Sequence, residues 1–497
     1  MKLSRLLKQS AIRAGAMAIV KLIGLVGRVI LTRLVGAEGI GLYQIAYSFY
    51  GLLLMISGGL PTALAIITAK KPWLGWHFFK WISLFLVLFG GLSSMIVFWN
   101  SPAISNILGN PGLGYALRSL APAIFAAPLL GLLRGYLQGL ERFNIIALSE
   151  LTEQGSRIVF MLLIVGHLLS HGIHVAVGGG VLAAFIGVIV SFALLTIYVS
   201  ADQRKNPIAP VAVSQLPFAW LLKASFVISL TRLLIPASDF IDAILIPGRL
   251  MAAGYDTSRA TAMYGVITGM AAIMAYTPTL VTQALSHTVT MRLASCWQRK
   301  LWSEFRRLLA LSLEVSWLWG LTAAIYIYVY ARELSVFIFN TPEAAEPIQY
   351  LAALPVIVGF RELSTSVLWS QDIKKVSFYG LLTGIICSIV IQYVLIGIPG
   401  WGYIGATLGI IAMEIVASLW NLYALKIRLA RIMKLLPSLA LDAVILLASM
   451  LLVIIVSGHS GADSSRSLFG FLLETALFFS AAGVFLYIRF KGKLLAG

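Results

Sequence analysis

The segment SFVISLTRLLIPASDFIDAILIP, residues Ser225–Pro247, is apolar enough to cross a membrane but contains three charged residues, Arg232, Asp239 and Asp242. A charge near the centre of a bilayer is unfavourable by about 2.5–3.5 kcal/mol on insertion scales, so charged residues in a spanning helix usually face other helices or a water-filled cavity. The segment also contains Pro236, which removes a backbone donor and favours a bend. These features predict a membrane helix with one face turned toward a polar interior.

The composition of the whole chain is that of an integral membrane protein. Of its 497 residues, 60% are hydrophobic and 11% are charged, and the mean hydropathy is +0.93. Soluble globular domains are about 45–50% apolar and about 25% charged. The apolar runs are long and continuous, as expected for helices of about 20 residues, whereas barrel strands would be short and alternating. We therefore predict an all-α integral membrane fold with about fourteen spans, at residues 12–33, 41–69, 81–99, 115–135, 145–166, 178–200, 217–247, 260–288, 308–330, 348–370, 377–396, 401–424, 438–457 and 467–488.

The distribution of basic residues predicts the orientation of these spans. Lysines and arginines collect in every second connection, as in residues 70–80 and 292–307, whereas the alternate connections, such as NSPAISNILGNPG (100–112), contain almost none. Cytoplasmic loops of membrane proteins carry such an excess of basic residues. The pattern fits an even number of spans with both termini in the cytoplasm, and it explains the net charge of +18 without nucleic acid as a partner. The two cysteines, Cys296 and Cys387, predict no disulfide framework.

Two segments resemble each other in a way that indicates an internal repeat. LAPAIFAAPLLGLLRGYLQGLERF (120–143) aligns with ALPVIVGFRELSTSVLWSQDIKKV (353–376), so that Pro122 matches Pro355. The repeat is six spans long, an even number, which gives both halves the same orientation, an arrangement known as a parallel repeat. We predict an N-terminal six-helix lobe, a C-terminal six-helix lobe and two additional C-terminal spans, at residues 1–205, 206–430 and 431–497. The polar connection 292–307 is expected to form an interfacial helix.

Basic residues inside the spans are the candidates for binding an anion. Lys21 and Arg28 are seven residues apart in the first span and so lie on nearly the same helical face, without an acidic residue nearby on that helix. Arginine suits phosphate oxygens in particular, because its planar guanidinium forms two parallel hydrogen bonds with them. The predicted anion-binding residues are Lys21, Arg28, Arg232 and Arg361.

Acidic residues inside the spans leave two interpretations open. Asp239 and Asp242 could neutralise Arg232, or they could take up a coupling proton or cation. In the fifth span, SELTEQGSR (149–157) places acids and an arginine three, four and seven residues apart on one stripe, which favours ion pairs that hold helices together. The predicted coupling or ion-pair residues are Asp239, Asp242, Glu153 and Arg157, with Glu314 and Glu414 as further candidates for coupling.

Two stretches resemble known families. RLVGAEGIGLYQIAYSFYGLLLMISGGLPTALA (33–65) resembles the start of the multidrug/oligosaccharidyl-lipid/polysaccharide (MOP) exporter superfamily, whose glycine-rich turn is matched here by Gly36, Gly39, Gly41 and Tyr43. RGYLQGLERFNIIALSELTEQGSRI (134–158) is similar to the stage V sporulation protein B branch, which is related to the MurJ lipid II flippases. The residues that match this branch are Arg134, Gly135, Gln138, Gly139, Glu153, Gln154 and Arg157.

The resemblance implies a MATE/MurJ-like fold and a flippase in a bacterial cytoplasmic membrane. Such proteins move undecaprenyl-pyrophosphate-linked glycans, such as lipid II, between leaflets by alternating access of two lobes around a cationic cavity. It also implies that Arg134 and Gln138 belong to a gate or turn motif. The alternative is a MATE-type multidrug or cation antiporter. An enzyme is not expected, because the outer loops are short and no catalytic set is visible.

Few other molecules are expected to act with the protein. No metal or cofactor is predicted, although coupling to H⁺, Na⁺ or the membrane potential stays open. The expected partners are the lipid-linked glycan and membrane lipids. The protein is expected to be a monomer that works alongside cell-wall synthesis enzymes.

Overall fold

The computed structural model describes the backbone of residues 2–205, 218–425, 429–457 and 467–494. Within these ranges the chain is helical and contains no strand, which confirms the predicted all-α class. The α-helices in the described ranges are α1 (Lys2–Ile56), α2 (Leu60–Lys70), α3 (Pro72–Trp99), α4 (Ser101–Ile107), α5 (Gly114–Gly139), α6 (Phe143–Leu168), α7 (Ile173–Val181), α8 (Ala183–Lys205), α9 (Phe218–Ala252), α10 (Thr257–Tyr264), α11 (Ala272–Tyr276), α12 (Thr279–Gln298), α13 (Trp302–Val329), α14 (Ala331–Phe339), α15 (Ala345–Tyr350), α16 (Leu354–Ser370), α17 (Lys374–Ile396), α18 (Gly402–Ala424), α19 (Leu429–Val456) and α20 (Leu468–Leu494).

The predicted count of fourteen spans is not confirmed. In the described part of the chain, 11 helices are long and apolar enough to cross a membrane, or 12 if the bent pair Thr257–Tyr276 and Thr279–Gln298 is one span. Two places account for the difference between fourteen and 12 spans. The range Gly15–Lys70 is a single candidate that contains two of the predicted spans. Helix α6, which carries Glu150, Glu153 and Arg157, is not among the candidates.

Helix α1 is interrupted at Gly36, which divides it into two helical segments. This residue has φ +70° and ψ −169°, a backbone conformation that favours glycine. Beyond the interruption α1 packs closely against α10, since a Cβ on Gly41 would lie 2.1 Å from the backbone oxygen of Thr261. The glycine-rich stretch therefore serves both a change of helix direction and a close helix–helix approach.

The predicted interfacial helix at 292–307 is wrong. Helix α12 continues to Gln298, a short turn follows, and α13 begins at Trp302. Lys300 in this turn has φ 58°, a left-handed conformation that ends the first helix and redirects the chain. The polar segment is thus the junction of two long helices.

Many large apolar side chains are exposed, as expected where the surrounding medium is lipid. Helix α3 shows this clearly, because Phe85 and Leu88 are 56% and 67% exposed while Phe78 is fully buried. Phe78 packs in a core with residues of α2, α5 and α8, including Leu64, Leu132 and Leu195.

The chain divides into two compact units, Met1–Gly269 and Met270–Gly497. Each is described by itself below. The predicted division into two lobes and two additional spans stays a prediction.

Candidate functional site

In the first unit, a polar network centred on Arg134 joins three helices. Arg134 on α5 donates from Nη1 to Glu153 Oε2 on α6 at 2.7 Å. Its Nε donates to Ser149 Oγ at 2.9 Å, and its Nη2 donates to Ser191 Oγ on α8 at 3.0 Å. The Ser191 hydroxyl in turn donates to the backbone oxygen of Ser149 at 2.9 Å. Every nitrogen of this guanidinium has a partner, so Arg134 acts here as a link between helices.

Arg157 belongs to the same network but is less completely bonded. Its Nη1 lies 3.9 Å from Glu153 Oε1, which is an ion-pair distance and too long for a hydrogen bond. Its Nη2 donates to the side-chain oxygen of Gln154. Of the predicted stripe on α6, Glu153 and Arg157 form an ion pair, to which α5 adds Arg134, whereas Glu150 Oε2 is buried without a hydrogen-bond partner among the described residues. Glu153 thus faces two arginines.

The predicted basic residues of the first span lie beside this network. A Cβ on Gly24 would lie 2.7 Å from Gln154 Nε2, and a Cβ on Gly27 would lie 2.4 Å from Ile158 Cδ1, so glycine is what allows α1 to approach α6. Arg28 follows directly on α1 and is half-buried. Among the described residues its guanidinium has no hydrogen-bond or ion-pair partner. Lys21 is exposed about two helical turns closer to the N-terminus, on nearly the same face of α1.

Arg232 in the segment Ser225–Pro247 contacts the connection between α1 and α2. It donates from Nη1 to the backbone oxygen of Gly58 at 3.1 Å. Ser229, one turn earlier, accepts from the backbone nitrogen of Gly59 at 2.9 Å and donates to the backbone oxygen of Ile56 at 3.0 Å. Arg232 therefore has a structural contact with an open helix end, in addition to the anion-binding role predicted for it.

The two aspartates of this segment do not share one environment. Asp239 is exposed and Asp242 is half-buried, and both lie close enough to Tyr264 on α10 for electrostatic interaction. No ion pair between Arg232 and Asp239 occurs in the described part of the protein. Gln138, predicted as part of a turn motif, lies in the last turn of α5.

In the second unit, Arg361 on α16 faces two carboxylates. Its Nε donates to Glu414 Oε2 on α18, and its Nη2 lies 4.0 Å from Glu362 Oε1. Tyr276 on α11 donates to the other oxygen of Glu414 at 3.2 Å, and Thr282 on α12 lies 3.3 Å from Glu362 Oε2. Arg361 was predicted as an anion-binding residue, and the structure gives it carboxylate partners within the protein.

Polar contacts near both ends of α20 connect the last two helices, α19 and α20, to α13 and the residue that follows it. Arg489 on α20 donates to Glu314 Oε1 at 3.2 Å and lies 3.7 Å from Asp442 Oδ1 on α19. About four turns away along α20, Glu474 is fully buried and accepts from the hydroxyl of Tyr330 at 2.9 Å. Glu314 is thus an ion-pair partner of Arg489, and its coupling role stays a prediction.

Sequence reasoning missed the partners that other helices supply. Ser191 and Tyr276 are ordinary polar residues whose importance comes only from the helices they face. One signal was available for Glu414, because it is the only acidic residue in α18 and Arg361 is the only basic residue in α16. Opposite charges in two apolar spans favour each other as partners, although Glu362 beside Arg361 was a competing partner.

Long apolar helices whose few charged side chains are bonded to one another between helices define a multi-span membrane protein. The chain belongs to the polysaccharide biosynthesis protein family, whose profile matches residues 6–284. This membership confirms the predicted MOP exporter superfamily, a superfamily of membrane transporters and flippases.

Two relatives from Bacillus subtilis (strain 168) agree with this assignment. Stage V sporulation protein B is 25% identical over 424 residues, which cover 83% of this chain and 82% of that protein. The lipid II flippase MurJ is 28% identical over 213 residues, covering 39% of each chain. The second of these relatives is named as a flippase.

Solved structures share the fold. An inward-facing multidrug resistance MATE family transporter superposes with a TM-score of 0.67 at 13% identity, over 84% of this chain and 98% of that one. A MOP superfamily transporter from Pyrococcus furiosus gives 0.58 at 14% identity, over 85% and 96%. At this level of identity the likeness concerns the fold alone.

Proposed function

We propose that this protein is a flippase for a glycan linked to a polyprenyl pyrophosphate, such as a peptidoglycan, spore-cortex or other polysaccharide precursor. Its family and the relative named as a lipid II flippase support the class of substrate. The proposed location is a bacterial cytoplasmic membrane with both termini in the cytoplasm, and the proposed mode of transport is alternating access.

The observation that carries the proposal is the state of Arg28. It is a half-buried arginine in a membrane helix, and no described carboxylate or hydrogen-bond acceptor neutralises it. A charge in a membrane protein that is not paired within the protein usually marks a substrate or ion path. The pyrophosphate of a lipid-linked glycan carries the complementary charge and the oxygens that a guanidinium binds.

The neighbourhood of Arg28 adds to this interpretation. Arg157, on the helix that packs against α1, makes only one hydrogen bond within the described protein and shares Glu153 with Arg134. Even with Glu150 of α6 counted, the three arginines Arg28, Arg134 and Arg157 outnumber the carboxylates Glu150 and Glu153, so this part of the first unit favours an anion.

The test is transbilayer movement of fluorescent lipid II in proteoliposomes. Wild-type protein is expected to accelerate the movement, Arg28→Ala to abolish the acceleration, and Arg28→Lys to retain part of it. Arg28→Ala is expected to leave the unfolding temperature unchanged, because Arg28 has no described partner to lose. Arg142→Ala is the matched control, since Arg142 pairs with Asp202 at 3.6 Å at an exposed helix end.

The outcomes separate the two candidate functions. Full movement in Arg28→Ala would refute the role of this residue. A wild type that does not move lipid II but exports a cationic dye would favour the antiporter. Residue-level roles for Lys21, Arg232 and Asp239, a monomeric state and cooperation with cell-wall synthesis enzymes stay predictions.

A further inference from the structure

The cluster around Arg361 in the second unit contains more carboxylates than cations. One guanidinium faces Glu414 and Glu362, whose side chains are 3% and 13% exposed. The other groups that act on Glu362 are neutral, namely the side chains of Thr282 and Gln283 on α12. If both carboxylates were ionised, the cluster would hold one uncompensated negative charge inside the helix bundle, which is unfavourable.

Hydrogen-bond geometry indicates which carboxyl group is neutral. Thr282 Oγ1 lies 2.9 Å from the backbone oxygen of Thr279 and 3.3 Å from Glu362 Oε2. A hydroxyl has one hydrogen and can donate it only once at full strength. The shorter contact, within α12, takes that hydrogen. Thr282 can therefore donate only weakly to Glu362 Oε2, and a protonated carboxyl group would instead donate to the threonine oxygen.

Within the described part of the chain, Glu362 has only the neutral side chains of Gln283 and Thr282 as further hydrogen-bond partners, whereas Glu414 has a charged donor. Arg361 donates to one of its oxygens and the hydroxyl of Tyr276 donates to the other. Two donors stabilise the ionised form of a carboxyl group. We propose that Glu362 is a proton-binding site, protonated in this conformation and hydrogen-bonded to Thr282, while Glu414 stays ionised beside Arg361.

Loss of this proton would change which helices Arg361 connects. When Glu362 releases H⁺ to water it becomes a second carboxylate 4.0 Å from Arg361 Nη2, and it then competes with Glu414 for the same guanidinium. The link between α16 and α18 weakens as a result. Tyr276, which bonds Glu414, and Thr282, which contacts Glu362, lie on either side of the break between α11 and α12. Loss of the proton would therefore also alter the contacts that hold the two helices next to this break.

A proton fits this site better than a metal cation. The guanidinium of Arg361 already occupies the space beside both carboxylates, and its charge repels a second cation. A proton bound covalently to Glu362 removes the negative charge without needing a coordination shell.

The direct test is infrared difference spectroscopy of the purified protein during a pH jump, which reports the C=O stretch of protonated carboxyl groups. A component of this band is expected to disappear on raising the pH and to be missing in Glu362→Gln. Thr282→Val is expected to shift the component, because its hydrogen-bond acceptor is removed. Glu153→Gln is the matched control and is expected to leave the component unchanged, because Glu153 faces two arginines.

Three results would overturn the proposal. The component could persist in Glu362→Gln and vanish in Glu414→Gln, which would move the proton to Glu414. It could be insensitive to all of these variants, which would make the cluster a permanent ion-pair link. Sodium could remove the component at constant pH in the wild type, which would indicate a metal cation site.

A transport measurement connects the site to the proposed flippase and rests on that function. The ratio of initial rates with and without a pH gradient is expected to fall to 1 in Glu362→Gln. An unchanged ratio above 1 would refute the coupling role. If the wild type moves no lipid II at all, the proposed function fails, whereas the infrared result on Glu362 is unaffected.

Discussion

Removal of Arg134 tests whether the network in the first unit holds three helices together. Arg134→Ala deletes the hydrogen bonds to Ser149, Glu153 and Ser191 in one step. Polar contacts between membrane helices are worth about 0.6 kcal/mol on average and at most about 1.7 kcal/mol. Three such contacts give roughly 2–5 kcal/mol, and the lower half of this range is expected because Arg157 remains near Glu153 to compensate its charge.

The assay is the free energy of unfolding in mixed detergent micelles, measured by titration with a denaturing detergent. Arg134→Ala is expected to lower it by about 2–3 kcal/mol, and Arg134→Lys by less, since lysine keeps the charge but loses the planar fork. Arg118→Ala on the same helix is the matched control. Arg118 makes one hydrogen bond, to Ser101 Oγ at 2.8 Å, so its loss is expected to cost about 1 kcal/mol or less.

A double-mutant cycle separates the ion pair from the general loss of packing. After Arg134→Ala, the Glu153 carboxylate has only the more distant cation of Arg157 beside it. Glu153→Ala is therefore expected to lower the free energy of unfolding less in the Arg134→Ala background than in the wild type. The coupling energy should lie between about 1 and 3 kcal/mol. A coupling energy near zero, or equal effects of Arg134→Ala and Arg118→Ala, would refute the reasoning.

Two further predictions follow from other contacts. Gly41→Ala is expected to lower the unfolding temperature strongly, because the new Cβ would meet the backbone oxygen of Thr261, which cannot move aside as a side chain could. Gly51→Ala is the control and is expected to have little effect, since there is open space around Gly51. Equal shifts of the two variants in a thermal unfolding experiment would contradict this. Arg489→Ala is expected to lower the free energy of unfolding by about 1–3 kcal/mol, because it removes the cation shared by Glu314 and Asp442. Arg489→Lys is expected to lose less in the same unfolding assay. No loss in Arg489→Ala would show that these ion pairs do not stabilise the packing of α20.

Residues within one helix could be placed from the sequence, because helical periodicity relates them directly. The stripe containing Glu153 and Arg157 and the all-α class both follow from spacing and composition. These features depend on positions fewer than about ten residues apart, over which helix geometry is fixed.

Contacts between helices could not be predicted in the same way. Arg361 was assigned to substrate binding because hydropathy shows that a charge is buried and says nothing about its neighbours. Its partner Glu414 is 53 residues further along the chain, on a helix whose rotation is set by packing. The second hydroxyl partner of Arg134, Ser191, is 57 residues away for the same reason.

The bonding of Arg134 to Glu153 also bears on how the chain enters the membrane during synthesis. Helix α6 carries three charged residues, Glu150, Glu153 and Arg157, and a charge costs about 2.5–3.5 kcal/mol at the centre of an isolated inserting helix. Only residues 140–142 separate it from α5, so the two helices emerge from the ribosome almost together. Partitioning as a hairpin lets Arg134 and Glu153 neutralise each other before either meets lipid, which makes α5 the insertion partner that α6 requires.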